Sequence, residues 1–458
     1  MIAPAVLKLF KASLLSIALT VAWRSPSLAG SLDHEALLVQ SPELALKVRT
    51  DLIEKENQEI FANFHMWDST GVGLESLARL CLKAQAGVRV RLVNDGLSRD
   101  GLNLISNASL IKVISDVCVS PSGNKFEIRF WNPVNSKITA LLKPSNLHRS
   151  HEKVLLLVGQ QIAYEGDRNW QNVNFGKNPK HPAYSYLSTD IVVHGPAVSE
   201  VREHLEGVWN VSTELDLRLV KDKKNPADRP GWKKYSQASY ERALSEFTAL
   251  LEQLRDNSGA TDSSWRQFHP VSDVNFVHYD ALAKLKGQDS SVNDELLELI
   301  ASAQKKVYLT TPYLRLPDSY FDALKALRER GVEVKLVTSN PRSRIVSKTY
   351  GFQNRDIKRL KKIGVQLFQT EGEDPLHMKS VVVDDARVFV GTHNFDMRSA
   401  YMDMESGFIV TDAVTAKKLQ DFLIPYEKPY KLRRPVTQFL LEPLVQGLLK
   451  ISIIKKQL

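Results

Sequence analysis

"SHEKVLLLVGQQIAYEGDRN", residues 150–169, opens with His151 and Lys153 and runs through an apolar stretch to Gly166 and Asn169. A second stretch, "LHMKSVVVDDARVFVGTHN", residues 376–394, repeats the device with His377, Lys379, Gly391 and Asn394. Both read as hairpins of two apolar strands. Side chains alternate along a strand, so the histidine and lysine of each pair share a face. The copies differ at one place. The second carries Asp384 and the first has Val158.

The surroundings repeat as well, and a repeat sets the fold. In "GLESLARLCLKAQAGVRVRLVNDG", residues 73–96, Leu74, Leu77 and Leu80 form a helical stripe that Gly87 ends before the strand "VRVRLV". In "SYFDALKALRERGVEVKLVTSN", residues 319–340, Phe321, Leu324 and Leu327 form the stripe and Gly331 ends it before "VEVKLV". A buried strand precedes each helix, in "NQEIFANFHMW" (57–67) and "KKVYLTTPYL" (305–314). Alternating strands and helices predict an α/β fold. Two such halves predict a duplicated α/β protein, each part a mixed sheet flanked by helices, related by pseudo-two-fold symmetry. We place the first domain at 30–220 and the second at 271–425. Residues 221–270 are polar and proline-bearing with one amphipathic helix, and read as the connection.

The chain has 458 residues, 43% hydrophobic and 25% charged. That is the composition of a folded globular protein rather than a disordered or fibrous one. The net charge of +9 points to an anionic partner, nucleic acid or acidic lipid. Cys81 and Cys118 show no metal-ligand spacing and allow one disulfide in an oxidising compartment. Residues 1–29 have Lys8 and Lys11, an apolar run and the small residues Ser27 and Ala29, which reads as a secretory signal. The tail 426–458 has basic ends around Leu440, Leu441, Leu444, Leu448 and Leu449, and reads as a surface for peripheral membrane contact.

Two imidazoles, two ammoniums and two amides converging across a two-fold suit a phosphate diester. Lysines hold the non-bridging oxygens. One histidine attacks phosphorus and the other serves as acid and base. The lysines supply the positive charge, so no metal and no cofactor is called for.

These residues resemble the phospholipase D superfamily, marked by a doubled His-x-Lys-x4-Asp followed by Gly-(Gly/Ser/Thr)-x-Asn. The second copy matches in full, with Asp384 as the structural acid and with Arg398, Ser399 and Glu405 downstream. Within the superfamily the chain looks most like bacterial cardiolipin synthases, through "GVRVRLVNDG", "FEIRFWNPV", "LHRSHEKVLLL", "TDIVVHGPAVSEVREHLEGVWN" and "HNFDMRSAYMDMESG". The resemblance implies a phosphodiesterase or phosphatidyltransferase acting on glycerophospholipids. Its catalytic set is His151, Lys153, Asn169, Asp190, His377, Lys379, Asn394 and Glu405, with Ser399 contacting substrate. It implies a monomer that forms its own pseudo-dimer. One further acid per half orients each histidine by its second ring nitrogen; by position these are Asp190 and Glu405. His151 is then the nucleophile and His377 the general acid.

The first half departs from the pattern. Val158 stands where an acid is expected, and Gly166 and Asn169 come one residue late, which places an extra residue in the turn "GQQ". The acid falls an odd number of residues past the lysine, so it points away from the histidine face and bonds turn or backbone. Its loss therefore loosens the hairpin more than it harms the chemistry. Asp167 adds a negative charge near the pocket, and Asp403 replaces a usual Asn. The competing readings are a nuclease-type phosphodiesterase on nucleic acid and a degenerate protein that binds anionic lipid without turnover. Export would place the protein in the periplasm, on a membrane or outside the cell.

Overall fold

A computed structural model describes residues 34–97, 104–133, 147–177, 185–214, 236–256, 263–340, 343, 350–371 and 375–431. The signal reading at 1–29 and nearly all of the membrane-contact tail lie outside these. Strands fall at β1 His34–Val39, β2 Glu59–Phe64, β3 Arg89–Asp95, β4 Phe126–Trp131, β5 Lys153–Leu157, β6 Ile162–Gly166, β7 Asp190–His194 and β8 His269–Val271. A second series follows: β9 Asp273–His278, β10 Lys306–Thr311, β11 Glu333–Thr338, β12 Gln366–Gln369, β13 Ser380–Val383, β14 Arg387–Gly391, β15 Ser406–Thr411 and β16 Lys428–Pro429.

The sheet orders are β4-β3-β2-β5-β6-β7-β1-β8 and β16-β12-β11-β10-β13-β14-β15-β9. Apart from β8 and β16 at opposite edges, the orders coincide, with β5 matching β13 and β6 matching β14. Each sheet is mixed: β2 runs parallel to β3 and antiparallel to β5, as β10 does to β11 and β13. The duplicated α/β architecture is therefore present.

Local chemistry accounts for the elements. Ser41 caps the helix Pro42–Lys55 by accepting from Leu44 N at 3.0 Å, and Pro42 starts it. The helices Gly71–Gln85 and Asp318–Glu329 end before Gly87 and Gly331, both at positive φ. One apolar core runs through both sheets. It includes Ala163, Ile191 and Val193 of the first and Val388, Phe408 and Val410 of the second. Trp67, Trp131, Trp170 and Trp209 are buried, and Trp67 stacks on Trp170.

Two features were not anticipated, and a third had been left open. β1 and β9 insert beside β7 and β15, pairing antiparallel with strands distant in sequence. The connecting stretch is partly a wall of the first half. Its helix Gln237–Asp256 buries Phe247, Leu251 and Leu254 in a separate apolar core of the first half, and Tyr240 Oη donates to Asp116 at 2.9 Å. Third, Cys81 and Cys118 form a disulfide with Cα atoms 4.8 Å apart, tying the helix Gly71–Gln85 to the end of the helix Ala108–Val117.

Candidate active site

The two hairpins are joined across the internal two-fold by matching backbone bridges. His151 N donates to Met404 O at 2.9 Å and Met404 N to Arg149 O at 2.7 Å. On the other side His377 N donates to Leu187 O at 2.7 Å and Leu187 N to Pro375 O at 3.0 Å. Each histidine strand is thus fixed by the half it does not belong to. The Gly-x-x-Asn glycines allow the next strand to close in. A Cβ on Gly166 would lie 2.2 Å from Asp190 Oδ1, and one on Gly391 would lie 2.4 Å from Ser406 O.

His151 Nδ1 lies 2.9 and 3.1 Å from the two oxygens of Glu405, a carboxylate of the opposite half. With Nδ1 as donor, the ring's lone pair is left on Nε2. Ser399 had been placed against substrate. It is instead fully buried, donating to Glu405 Oε1 at 2.5 Å and accepting from Asn394 N at 3.0 Å. It braces the carboxylate.

His377 differs from expectation. Its Nδ1 faces Asp167 Oδ1 at 3.4 Å, again across the halves. Asp190, expected to orient a histidine, is taken up elsewhere. It accepts from Tyr164 Oη at 2.5 Å, Arg168 Nη1 at 2.7 Å and the backbone N of Asp167 at 3.1 Å. Asp190, the first residue of β7, pairs with Gly166 where Gly391 pairs with Gly407, so it matches Gly407 and not Glu405, and its side chain turns to Tyr164 and Arg168.

The lysines behave alike. Lys379 Nζ donates to His377 O at 2.5 Å, and Lys153 Nζ to His151 O. Asn169 Oδ1 accepts from Met66 N at 3.0 Å, while Asn394 Oδ1 is buried and unpartnered among the described residues. Two neighbours had not been singled out: His65 packs edge-on to His151 and Tyr186 stacks on His377, each with ring centres 5.0 Å apart. Their sequence settings, a strand end and a loop, carry no signal.

Residues 296–423 match the family model described as cardiolipin synthase, PLD-like domain. The chain is 23% identical to cardiolipin synthase C of Escherichia coli (strain K12) over 85% of its own length and 84% of that protein. It is 22% identical to a cardiolipin synthase of Clostridium perfringens (strain SM101 / Type A) over 81% of its length, and spans 65% of that relative. Its fold is similar to the crystal structure of phosphatidylserine synthase from Haemophilus influenzae Rd KW20, with TM-score 0.63 and 15% identity, covering 93% of this chain and 96% of that one. Through this match and these relatives the chain is similar to the phospholipase D superfamily. The matched span takes in His377, Lys379, Asn394 and Glu405 and leaves out the first half, where the departures other than Asp403 lie.

In this phospholipase D-like protein each departure has a counterpart in the structure. Asp384 accepts from the backbone N of Gln304, Lys305 and Lys306 at 2.8, 2.7 and 2.9 Å, fixing the start of β10. At the matching place in the first half, Glu56 accepts from the backbone N of Asn57, Gln58 and Gly159 at 2.9, 2.7 and 2.9 Å. A carboxylate from the preceding loop thus does what Asp384 does from the hairpin. The expectation that Val158 loosens the hairpin is corrected: β5 and β6 pair from Val154 to Leu157 without a break. The extra residue does sit in the turn, four residues between Leu157 and Ile162 against three between Val383 and Arg387. Asp403 forms an ion pair with Arg398 at 2.6 Å. Arg149 is buried against Asp95 at 3.3 Å and not free to meet a headgroup.

The electrostatics of the site follow from burial. Burial lowers Lys153 to about 7 and Lys379 to about 8, with Lys379 adding to the effect on Lys153. Burial, Lys153 and His65 hold His151 well below the usual imidazole value. Burial and Lys379 lower His377 to about 4 against the opposing pull of Asp167. Burial alone would raise Asp167, yet its bond to His377 and the Lys379 ammonium hold it below the usual carboxylate value. Burial lifts Glu405 to about 8 despite Lys153. Burial in this low-dielectric site disfavours the charged forms of both lysines and both histidines.

Proposed function

We propose that the protein is a phosphatidyltransferase or phosphodiesterase of glycerophospholipids, working without a metal through a phosphohistidine. The observation that carries this reading is the convergence of His151 and His377, each with a lysine two residues on and each with its Nδ1 facing a carboxylate of the other half. The relatives named above include cardiolipin synthases, and the structural neighbour is a phosphatidylserine synthase. Lys153 and Lys379 would grip the non-bridging oxygens of a phosphodiester. His151 Nε2 attacks phosphorus. The P–N bond forms as the P–O bond to the leaving alcohol breaks, and His377 gives that oxygen its proton. His377 then takes a proton from the incoming hydroxyl, which displaces His151. Phosphatidylglycerol as both donor and acceptor gives diphosphatidylglycerol and glycerol; water as acceptor gives phosphatidic acid.

The strongest influences on His151 all lower it, which suits a neutral nucleophile, while His377, also lowered by burial and Lys379, has in Asp167 a carboxylate that opposes the lowering. The degenerate reading loses its main support, because Glu56 supplies the backbone bonds that Val158 cannot.

Export and peripheral membrane contact form part of the proposal. The Cys81–Cys118 disulfide suits an oxidising compartment. Among the described residues no helix is long and apolar enough to cross a membrane. The test is to incubate the purified protein with phosphatidylglycerol vesicles, phosphatidylethanolamine vesicles and single-stranded DNA, with and without chelator. Diphosphatidylglycerol or phosphatidic acid formed in chelator supports the proposal. DNA cleavage with intact lipid would contradict it and favour the nuclease.

A further inference from the structure

The internal two-fold identifies which residue of the first half corresponds to Glu405. Gly166 pairs with Asp190 as Gly391 pairs with Gly407. Counting back from those partners sets Ser188 opposite Glu405. The cross-half bridges agree independently: Met404 is bonded to the residue before His151, and Leu187 to the residue before His377. The residue after each bridge, Glu405 or Ser188, is the one that meets the histidine. In the first half that seat holds no acid. The Ser188 hydroxyl is buried and unpartnered among the described residues. Asn174, offset from Asn169 as Ser399 is from Asn394, is buried with both amide atoms unpartnered too. An acid and its brace are both missing there.

The replacement stands one strand away. Asp167 occupies the position of Thr392, directly after the motif glycine. Thr392 Oγ1 accepts from Ser406 N at 3.0 Å. Asp167 Oδ2 makes the corresponding bond, accepting from Thr189 N at 3.1 Å, and its other oxygen, Oδ1, faces His377 Nδ1. A carboxylate at this seat keeps the structural bond of the threonine and adds a second acceptor aimed at the imidazole.

We infer that the carboxylate positioning His377 has moved from position 188 to position 167, so that Asp167, not Asp190, holds Nδ1–H and turns Nε2 toward the leaving oxygen. This rests on the proposed function for its consequence in catalysis, though not for the assignment itself. It means that the first half is rewired rather than decayed.

Two measurements test it. The first needs no activity: nitrogen NMR of protein labelled at histidine reads the tautomer of His377. In the wild type the proton is expected on Nδ1. In Asp167→Asn the amide donates to Nδ1 and the proton moves to Nε2. In the double variant Asp167→Thr with Ser188→Glu, the proton returns to Nδ1. An unchanged tautomer in Asp167→Asn would overturn the assignment. The second compares phosphatidyl esters with a poor leaving group, glycerol, and a good one, p-nitrophenol. A residue that serves the general acid loses about 10²-fold or more on the glycerol ester and under tenfold on the nitrophenyl ester. Equal losses on both would make Asp167 merely structural. Recovery of the glycerol rate in the double variant, with melting temperature unchanged, supports the transfer; a single Thr variant as active as the double would refute it. If the wild type cleaves neither ester, the proposed function fails while the tautomer still decides the assignment.

Discussion

Glu405 of the second half meets the Nδ1 of His151 of the first half at 2.9 Å, although the two residues are 254 positions apart in the chain. Neither half supplies both members of the His151–Glu405 or the His377–Asp167 pair. The site exists only where the two sheets share one core. Glu405→Gln keeps the shape and replaces one of the two carboxyl oxygens that face His151 Nδ1 with an amide nitrogen. It is expected to lower kcat by roughly 10²–10⁴-fold with little change in melting temperature. Steady-state kinetics on phosphatidylglycerol vesicles reads this, and a loss under threefold would contradict it.

Glu56 is fully buried and accepts from several backbone N–H groups at the start of β2 and in the hairpin turn. Glu56→Ala strands these donors and is expected to cost on the order of 3 kcal/mol. Chemical denaturation reads the shift in midpoint. Because Glu56 already occupies the role, Val158→Asp should change turnover less than twofold. A large gain in rate would show an impaired native site.

The pH dependence of anion binding follows from Lys153 at about 7 and Lys379 at about 8. Both are lowered, so the charged forms dominate below these values and are lost as pH rises. Affinity for inorganic phosphate, measured by competition, should weaken by about tenfold per pH unit for each lysine that has titrated, between pH 7 and 9. Calorimetry near pH 8 in two buffers of different ionisation heat should show proton uptake on binding. Affinity that stays level to pH 10 would contradict the burial argument.

The Cys81–Cys118 bond closes a loop with sequence separation 37. On the chain-entropy account it contributes about 4 kcal/mol. Replacing both cysteines with alanine should lower stability by that order while leaving kcat nearly intact, since neither residue adjoins the site residues in sequence. A free-thiol titration of the denatured wild type should find none.

Much of this site was legible in the sequence because its signals are local. His-x-Lys places two side chains on one strand face by period alone, and Gly87 and Gly331 mark helix ends wherever they occur. The paired hairpins and the α/β duplication follow from such patterns. Asp190 misled because it is an acid close to the expected place, two residues past the one that matches Glu405. Only the pairing of Gly166 with Asp190 reveals that the side chain turns to Arg168 and Tyr164. Asp167 read as an unwanted charge because its partner, His377, lies in the other half. Glu56 was silent for the same reason: it compensates for Val158 from another element. β1 was missed because its partner β7 lies far along the chain.

The central claim is a covalent bond between phosphorus and His151 Nε2. Rapid acid-free quenching of the protein with labelled phosphatidylglycerol, followed by peptide mapping, tests it directly. A base-stable, acid-labile P–N linkage on the peptide bearing His151, absent in His151→Ala, is the result predicted here. An adduct on His377 instead, or full turnover by His151→Ala, would contradict it.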